Sequence, residues 1–299
     1  MDLAALAGCL SSPACAITQL STGLIIGMLL FLVASGLSLI FGVLGVINFA
    51  HGAFYMLGAY FAYTGYLASG NFLVAMLCGA LGMAVFGALF ERLFISKIYG
   101  RDILMQLLLC YAFVLILDDM VKIIWGAGYK NMGMPQAFTM PPVFVFGGPI
   151  PVYYMFLIGV AITVGGALWF VIARTRFGKT VRAAAINPQM VSALGINTPL
   201  LFATVFGIGS LLAGLAGALA APVRTLTPGM GLSILIESFI VTVIGGMGSI
   251  VGAFVAALII GLTRTLGSIG FPLFVDGVMF VMMALVLILK PSGLFGKEV

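Results

Sequence analysis

The chain has 299 residues, of which 63% are hydrophobic and only 7% are charged, and its net charge at neutral pH is +5. Soluble domains carry about 25% charged residues, so this composition excludes a water-soluble globular protein and indicates an integral membrane protein. The positive charge does not indicate a nucleic-acid-binding protein, because the basic residues flank apolar segments and form no single patch.

The hydropathy pattern predicts an all-α, polytopic bundle of about eight or nine transmembrane segments. A periplasmic lead over 1–16, either a short surface helix or a disordered stretch, precedes one permease domain over 17–290 and a cytoplasmic tail over 291–299. The predicted spans are 17–40, 42–66, 71–90, 103–125, 151–173, 200–221, 232–246, 250–267 and 272–289. Whether 42–66 and 232–246 cross the membrane completely stays open.

The lead contains two of the four cysteines, Cys9 and Cys15. They are close enough in sequence to pair if that end of the chain faces an oxidising compartment. Two free thiols are the alternative. Cys78 and Cys110 lie in apolar runs, where we expect inert core residues.

The second predicted span contains a polar intrusion, Asn48 and the single histidine, His51, followed by Gly52. One unpaired polar group in an apolar medium costs roughly 2–7 kcal/mol, so these side chains need partners. They line a transport path or a permease–permease contact, with Asn48 one turn before His51 on the same helical face. Alternatively, they satisfy backbone groups freed by nearby glycines, the interpretation that we favour. A lone histidine gives no case for a metal site, and we expect no cofactor.

Basic residues indicate the orientation of the chain, because nine of the 13 lysines and arginines fall in three places. By the positive-inside rule all three places are cytoplasmic, which puts the C-terminus inside and the N-terminus on the periplasmic side. These residues are Arg92, Lys97 and Arg101, then Arg174, Arg176, Lys179 and Arg182, and finally Lys290 and Lys297.

The fourth span ends with Asp118, Asp119 and Lys122, which either dock a binding protein or neutralise one another. Further on, Glu237 lies inside the apolar segment 232–246, and ionisable residues at membrane depth are candidates for function. It either attracts a substrate ammonium group or pairs with Arg264, and we favour the pair.

The loop over 174–198 has the sequence signals of two short surface helices. The first helix is predicted over the run 180–186. Asn187 is suited to the N-cap of the second helix, and Pro188 is suited to its first position. Gly195 is suited to ending that second helix. Gly178-Lys179-Thr180 resembles the end of a P-loop, but position 173 is alanine rather than the required glycine. We therefore expect no ATP site, and we expect Arg182 and residues 183–185 to face a partner.

Two glycine-rich stretches resemble each other and indicate an internal repeat of broken helices. The first reads GVLGVINFAHGAF and the second VIGGMGSIVGAF. We expect the second, like the first, to contribute to the translocation path or to a permease–permease contact. Its residues in that role are Gly245, Gly246, Gly248 and Ser249.

Four separated motifs give a family resemblance. The loop pattern T-x-x-G-x-x-x-R-A-x-x-x-N, followed by Gly-Ile-Asn, resembles that of LivH-type permeases of branched-chain amino acid ABC transporters. INFAHG at 47–52, GGMGS at 245–249 and PSGLFG at 291–296 agree with it. The resemblance implies a bacterial inner-membrane permease that couples to ATPases through the loop. The residues that match the loop pattern and carry this role are Gly178, Arg182, Ala183, Asn187 and Gly195.

The same resemblance implies the partners: a second, LivM-like permease, two cytoplasmic ATPases, a periplasmic substrate-binding protein and membrane lipid, with no nucleic acid. The predicted substrates are branched-chain or hydrophobic amino acids or related small amphiphiles. Urea, short amides or aromatic acids are the alternative cargo within the family. A stand-alone secondary transporter or channel is a second alternative. An intramembrane enzyme is disfavoured, because the sequence shows no nucleophile–base pair.

Overall fold

The structure, a computed structural model, describes residues 3–296. Within this range it contains twelve α-helices and one β-hairpin. They are α1 (Leu3–Ser11), α2 (Pro13–Leu44), α3 (His51–Ser69), α4 (Phe72–Leu93), α5 (Ile103–Trp125), β1 (Val143–Val145), β2 (Gly148–Ile150), α6 (Val152–Arg174), α7 (Arg176–Ile186), α8 (Pro188–Ala193), α9 (Thr198–Ala220), α10 (Met230–Gly245), α11 (Ile250–Gly270) and α12 (Val275–Leu289).

Six of the described helical stretches are long and apolar enough to cross a membrane. They are α2, α4 with the turn after it, α6, α9, α11, and α12 with the turn before it. Helix α10 is apolar but has only 16 residues. The architecture is that of a polytopic helical membrane protein, and the count of eight or nine spans stays a prediction.

The first two predicted spans have the wrong boundaries. Helix α2 has 32 residues rather than the span 17–40, because Pro13 is accepted at its first position and the left-handed Gly45 (φ +64°) ends it. Residues 42–44 therefore complete α2, and 45–50 form a turn. The second predicted span becomes a helix only at His51, so the polar residues lie at a helix start rather than inside a span.

The centre of the bundle is packed through glycines. The most extensive helix contacts join α4 to α9, α2 to α11 and α3 to α9. A Cβ on Gly27 of α2 would lie 2.8 Å from the carbonyl oxygen of Ala257, and one on Gly79 would lie 2.7 Å from that of Gly58. Small residues permit this close approach of helix backbones.

The expectation of an all-α chain needs one correction, in the segment between α5 and α6. Strands β1 and β2 pair antiparallel, with Val145 opposite Gly148. The turn residues Phe146 (φ +46°) and Gly147 (φ +83°) both have positive φ, as two-residue hairpin turns require. A Cβ on Gly148 would lie 2.9 Å from the carbonyl oxygen of Ala14, so the hairpin packs on the start of α2.

The N-terminal lead is a helix bonded to the bundle. Cys9 of α1 and Cys15 of α2 form a disulfide, with their Cα atoms 5.2 Å apart, so pairing is confirmed and two free thiols were the wrong alternative. Helix α2 begins at Pro13, within the predicted lead. Cys110 is buried as expected, whereas Cys78 lies on the bundle surface.

Candidate functional site

The start of α3 lies beside the middle of α2. His51 is fully buried, and its Nε2 lies 3.1 Å from the Val33 carbonyl oxygen, to which it donates. Asn48 is also fully buried, and its Oδ1 accepts from the Ala50 N–H at 3.1 Å. Asn48 therefore belongs to the turn before α3, and the expected shared helical face with His51 is wrong. Each side chain binds one backbone group, while Asn48 Nδ2 and His51 Nδ1 have no hydrogen-bond partner within residues 3–296.

Helices α3 and α10 begin against each other. A Cβ on Gly52 would overlap the carbonyl oxygen of Gly231, and a Cβ on Gly231 would lie 2.6 Å from that of Gly52. Two helix N-termini, each carrying a partial positive charge, thus meet inside the bundle. Gly52 is a residue that the sequence predicts for this site, but Gly231 is not, because a single glycine near a helix start gives no signal without its partner.

Glu237 of α10 forms an ion pair with Arg264 of α11. The Glu237 side chain is 8% exposed and that of Arg264 is 29% exposed. The expected pairing is therefore confirmed. Arg264 compensates the negative charge of Glu237, which would be costly to leave without a partner at this depth. The pair also joins the two helices that flank the 246–249 turn.

The glycine-rich segment after α10 forms a second junction, with the end of α2. A Cβ on Gly42 would lie 2.8 Å from the Cα of Gly248, and the Gly248 N–H donates to Ser38 Oγ at 3.0 Å. Gly246 (φ +98°) and Gly248 (φ +87°) have conformations that favour glycine. Ser249 then caps α11 by accepting from the Gly252 N–H at 3.0 Å.

The C-terminal segment completes this junction. The Leu294 N–H donates to the Ile244 carbonyl at 2.8 Å, and the Phe295 N–H donates to the Gly245 carbonyl at 3.0 Å. These bonds satisfy carbonyls that the end of α10 leaves without intrahelical donors. Two motifs of the sequence analysis, 245–249 and 291–296, therefore meet in space, and the described part of the tail packs on the bundle. Residues 297–299, with Lys297, lie outside the described residues.

The loop between α6 and α9 begins with a tight joint. Thr175 caps α7 by accepting from the Gly178 N–H at 3.2 Å. A Cβ on Gly178 would overlap the Ile172 carbonyl oxygen, and the Arg182 guanidinium donates to that same oxygen. Arg182 was expected to face a partner. It is exposed, and its guanidinium also ties α7 to the last turn of α6, where a cation is favoured by the helix dipole.

In the second half of this loop, the cap and first residue of the helix are those predicted from the sequence. Asn187 Oδ1 accepts from the Met190 N–H at 2.9 Å, and Pro188 occupies the first position of α8. Gly195 (φ +83°) follows the end of α8. Helix α7 is longer than the predicted run 180–186, because the Thr175 cap starts it at Arg176.

Exposed apolar side chains lie along this loop. Ile186 is 87% exposed, Met190 60% and Leu194 75%. Ala183 is also exposed, whereas Ala184, which was expected to face a partner as well, is buried in the bundle. Three large apolar residues that are exposed on a short polar loop are typical of a protein–protein contact.

The basic loop after α4 packs on the same end of the bundle. The Tyr99 ring lies 5.6 Å from that of Phe202, near the start of α9. Its hydroxyl donates to Glu91 Oε1 at 2.5 Å. Burial raises the pKa of the Tyr99 hydroxyl, and the hydrogen bond to Glu91 raises it further, so the hydroxyl remains protonated at neutral pH.

The two aspartates near the end of α5, Asp118 and Asp119, differ in how exposed their side chains are. Lys122 Nζ lies 2.8 Å from Asp118 Oδ2 and 2.9 Å from Asp119 Oδ1. Asp119 is 70% exposed at the side chain, whereas Asp118 is 20% exposed and faces α10. The expected neutralisation through Lys122 is present in the geometry, but one lysine serves two carboxylates.

Comparison with known proteins identifies the family. A family model described as the permease component of branched-chain amino acid transport systems matches residues 19–289. The high-affinity branched-chain amino acid permease proteins BraD of Pseudomonas aeruginosa and LivH of Escherichia coli are both 30% identical to the chain. Each alignment covers 93% of this chain and 95% of the relative. A probable LivH protein of Methanocaldococcus jannaschii is 26% identical, with 93% and 92% covered.

One solved structure has a similar fold. PsaBC from Streptococcus pneumoniae in complex with Fab superposes with a TM-score of 0.52, and the alignment covers 97% of this chain and 95% of that one. The sequences are only 10% identical, so this similarity concerns the arrangement of helices alone.

Proposed function

The chain belongs to the family of permease components of branched-chain amino acid transport systems, and we propose that it is the transmembrane permease subunit of a bacterial ABC importer. Its cargo is a branched-chain or other hydrophobic amino acid. It pairs with a second, LivM-like permease, two cytoplasmic ATPases and a periplasmic binding protein. ATP hydrolysis in the partner subunits drives transport, and the chain itself is not an enzyme.

The observation that carries this proposal is the construction of the α7–α8 loop. Both of its helices are capped, and Arg182 ties the first of them to the end of α6. Its apolar side chains Ile186, Met190 and Leu194 are exposed to a partner. A stiff, apolar projection fits a role in transmitting motion from an ATPase into the bundle. Gly178, Arg182, Ala183, Asn187 and Gly195 are its coupling residues.

We propose that two junctions on α2 allow access to switch between the two sides of the membrane. One contains Asn48, His51 and Gly52, and the other contains the segment 245–249. ATP binding moves α7, α6 follows through its joint, and α3 and α10 shift relative to α2. This is a two-state change biased by a ligand bound to another subunit. Glu237 keeps α10 and α11 together during the shift.

The chemistry at each end of the bundle supports the proposed orientation. Tyr99 packs near the start of α9, next to α8, which places two basic loops at one end. The β-hairpin and the Cys9–Cys15 disulfide lie near the start of α2 at the other. Basic loops favour the cytoplasm and disulfides favour an oxidising compartment. Both support a periplasmic N-terminus and a cytoplasmic C-terminus in the inner membrane.

The test is uptake by the complete importer in proteoliposomes, with the chain, its second permease, the ATPases and the loaded binding protein. We expect uptake of labelled leucine to require ATP and the ATPases, and we expect the chain alone to hydrolyse no ATP. Uptake by the chain alone, driven by an ion gradient, would show that it is a secondary transporter instead.

A further inference from the structure

A groove runs along the boundary of α5 and α10. Its larger part is a cavity of about 480 Å³ between α5, α10 and α12, lined by apolar side chains that include Phe49, Leu235 and Phe239. Its smaller part is a cavity of about 120 Å³ at the start of α10. Tyr111 and Leu232 line both parts, so the two cavities are adjacent.

One end of this groove is polar. Asp118 lines the smaller cavity together with Gly229 and Gly231 of the α10 start. A Cβ on Gly229 would lie 3.8 Å from Asp118 Oδ1. That oxygen is buried and has no hydrogen-bond partner within residues 3–296, although the other oxygen pairs with Lys122. A buried carboxylate oxygen without a partner is costly, and a bound donor would satisfy it.

The cluster of Asp118, Asp119 and Lys122 is not electrically neutral. Asp118 and Asp119 share the single ammonium group of Lys122, so the cluster retains one negative charge. Asp119 is largely exposed, whereas Asp118 is mostly buried. Asp118 is the carboxylate of this cluster that lines the groove, and the chemical complement of its free Oδ1 is a cation.

We propose that this groove is a binding subsite for the transported amino acid. Asp118 Oδ1 accepts a hydrogen bond from the substrate α-ammonium group, and the apolar part of the groove holds the substrate side chain. A few polar groups that fix orientation beside a larger apolar surface are typical of small-molecule sites. The inference rests on the proposed function and assigns to Asp118 the recognition of the ammonium group inside the permease.

The experiment compares Asp118→Asn with Asp119→Asn in the complete reconstituted importer, using labelled leucine delivered by its binding protein. Both variants remove one charge and one contact to Lys122, so they form a matched pair. We expect Asp118→Asn to reduce leucine uptake about tenfold, while ATPase stimulation by the loaded binding protein is retained. Asp119→Asn removes the same net charge but leaves the Asp118 acceptor in the groove, so it reduces uptake less, by about twofold to threefold, and Asp118→Glu restores part of the lost uptake.

A second pair tests the apolar part of the groove. Ile236 lines it, whereas Ile123 of α5 is 82% exposed on the bundle surface. We expect Ile236→Trp to reduce leucine uptake and Ile123→Trp to leave it unchanged. Equal uptake by the two aspartate variants would overturn the subsite. Loss of ATPase stimulation in Asp118→Asn would also overturn it, because that result would place Asp118 at the docking surface for the binding protein. If the unmodified complex shows no ATP-dependent uptake, the proposed function itself fails.

Discussion

Three polar side chains inside the bundle each bind one of the protein's own groups. His51 binds the Val33 carbonyl, Asn48 binds the Ala50 N–H, and Glu237 binds Arg264. Each contact satisfies a group that would be costly to leave unpaired in an apolar interior. The contacts also join α3 to α2 and α10 to α11, so single residues determine how these helices are placed.

Removing one member of the Glu237–Arg264 pair should be worse than removing both. Glu237→Gln leaves the Arg264 charge without its partner, and breaking a buried pair costs about 3 kcal/mol. The double variant Glu237→Gln, Arg264→Met should recover part of that loss. Melting temperatures of the detergent-solubilised protein measure both effects. If the double variant melts below the single one, the pair does not account for the cost.

At the scale of elements, helices are joined where backbones touch. The starts of α3 and α10 meet through Gly52 and Gly231, and the end of α10 is completed by Leu294 and Phe295 of the tail. Helix α10 is therefore held at both ends by segments that are distant in sequence. This arrangement explains how a helix of only 16 residues keeps a fixed position.

Gly52, at the contact between α3 and α10, should not tolerate a larger residue. A methyl group on Gly52 would overlap the Gly231 carbonyl, whereas one on Gly166 of α6 would meet nothing within 4 Å. Gly52→Ala should reduce the yield of folded protein and lower its melting temperature. Gly166→Ala should raise stability by up to about 1 kcal/mol, the usual gain in a helix interior. Equal stability of the two variants would rule out the close contact.

The sequence predicted helices better than it predicted where they meet. Hydropathy located α5 and α6 to within a residue, and cap chemistry located Asn187, Pro188 and Gly195 in the surface loop. The boundary between α2 and α3 was missed, because residues 42–44 are as apolar as a continuing span. The contact of Gly52 with Gly231 and the pairing of the tail with α10 depend on residues far apart in sequence, which local patterns do not reveal.

At the scale of the whole molecule, the two ends of the bundle differ in chemistry. One end has a disulfide and a hairpin with exposed Phe144 and Phe146. The other has the capped loop with its exposed apolar residues and the junction of the tail with α10. This difference between the two ends suits a protein that receives substrate on one side of the membrane and energy on the other.

The disulfide provides a test of orientation. In a variant without Cys78 and Cys110, a membrane-impermeant maleimide should not label intact spheroplasts until a reducing agent is added. After reduction, Cys9 and Cys15 should both react, because the proposed orientation puts them on the periplasmic side. Labelling that requires lysis of the spheroplasts would place the N-terminus in the cytoplasm.

We propose that α7 transmits the energy of ATP hydrolysis to the bundle, and the amount of leucine taken up per ATP reports on this transmission. Arg182→Glu breaks the bond to the Ile172 carbonyl and puts a negative charge at the negative end of α6. Lys179→Glu makes the same charge change at an exposed position of α7. In the reconstituted importer, we measure leucine uptake per ATP hydrolysed. We predict that this ratio falls about tenfold or more in Arg182→Glu and is retained in Lys179→Glu. An unchanged ratio in Arg182→Glu would contradict the coupling role of α7.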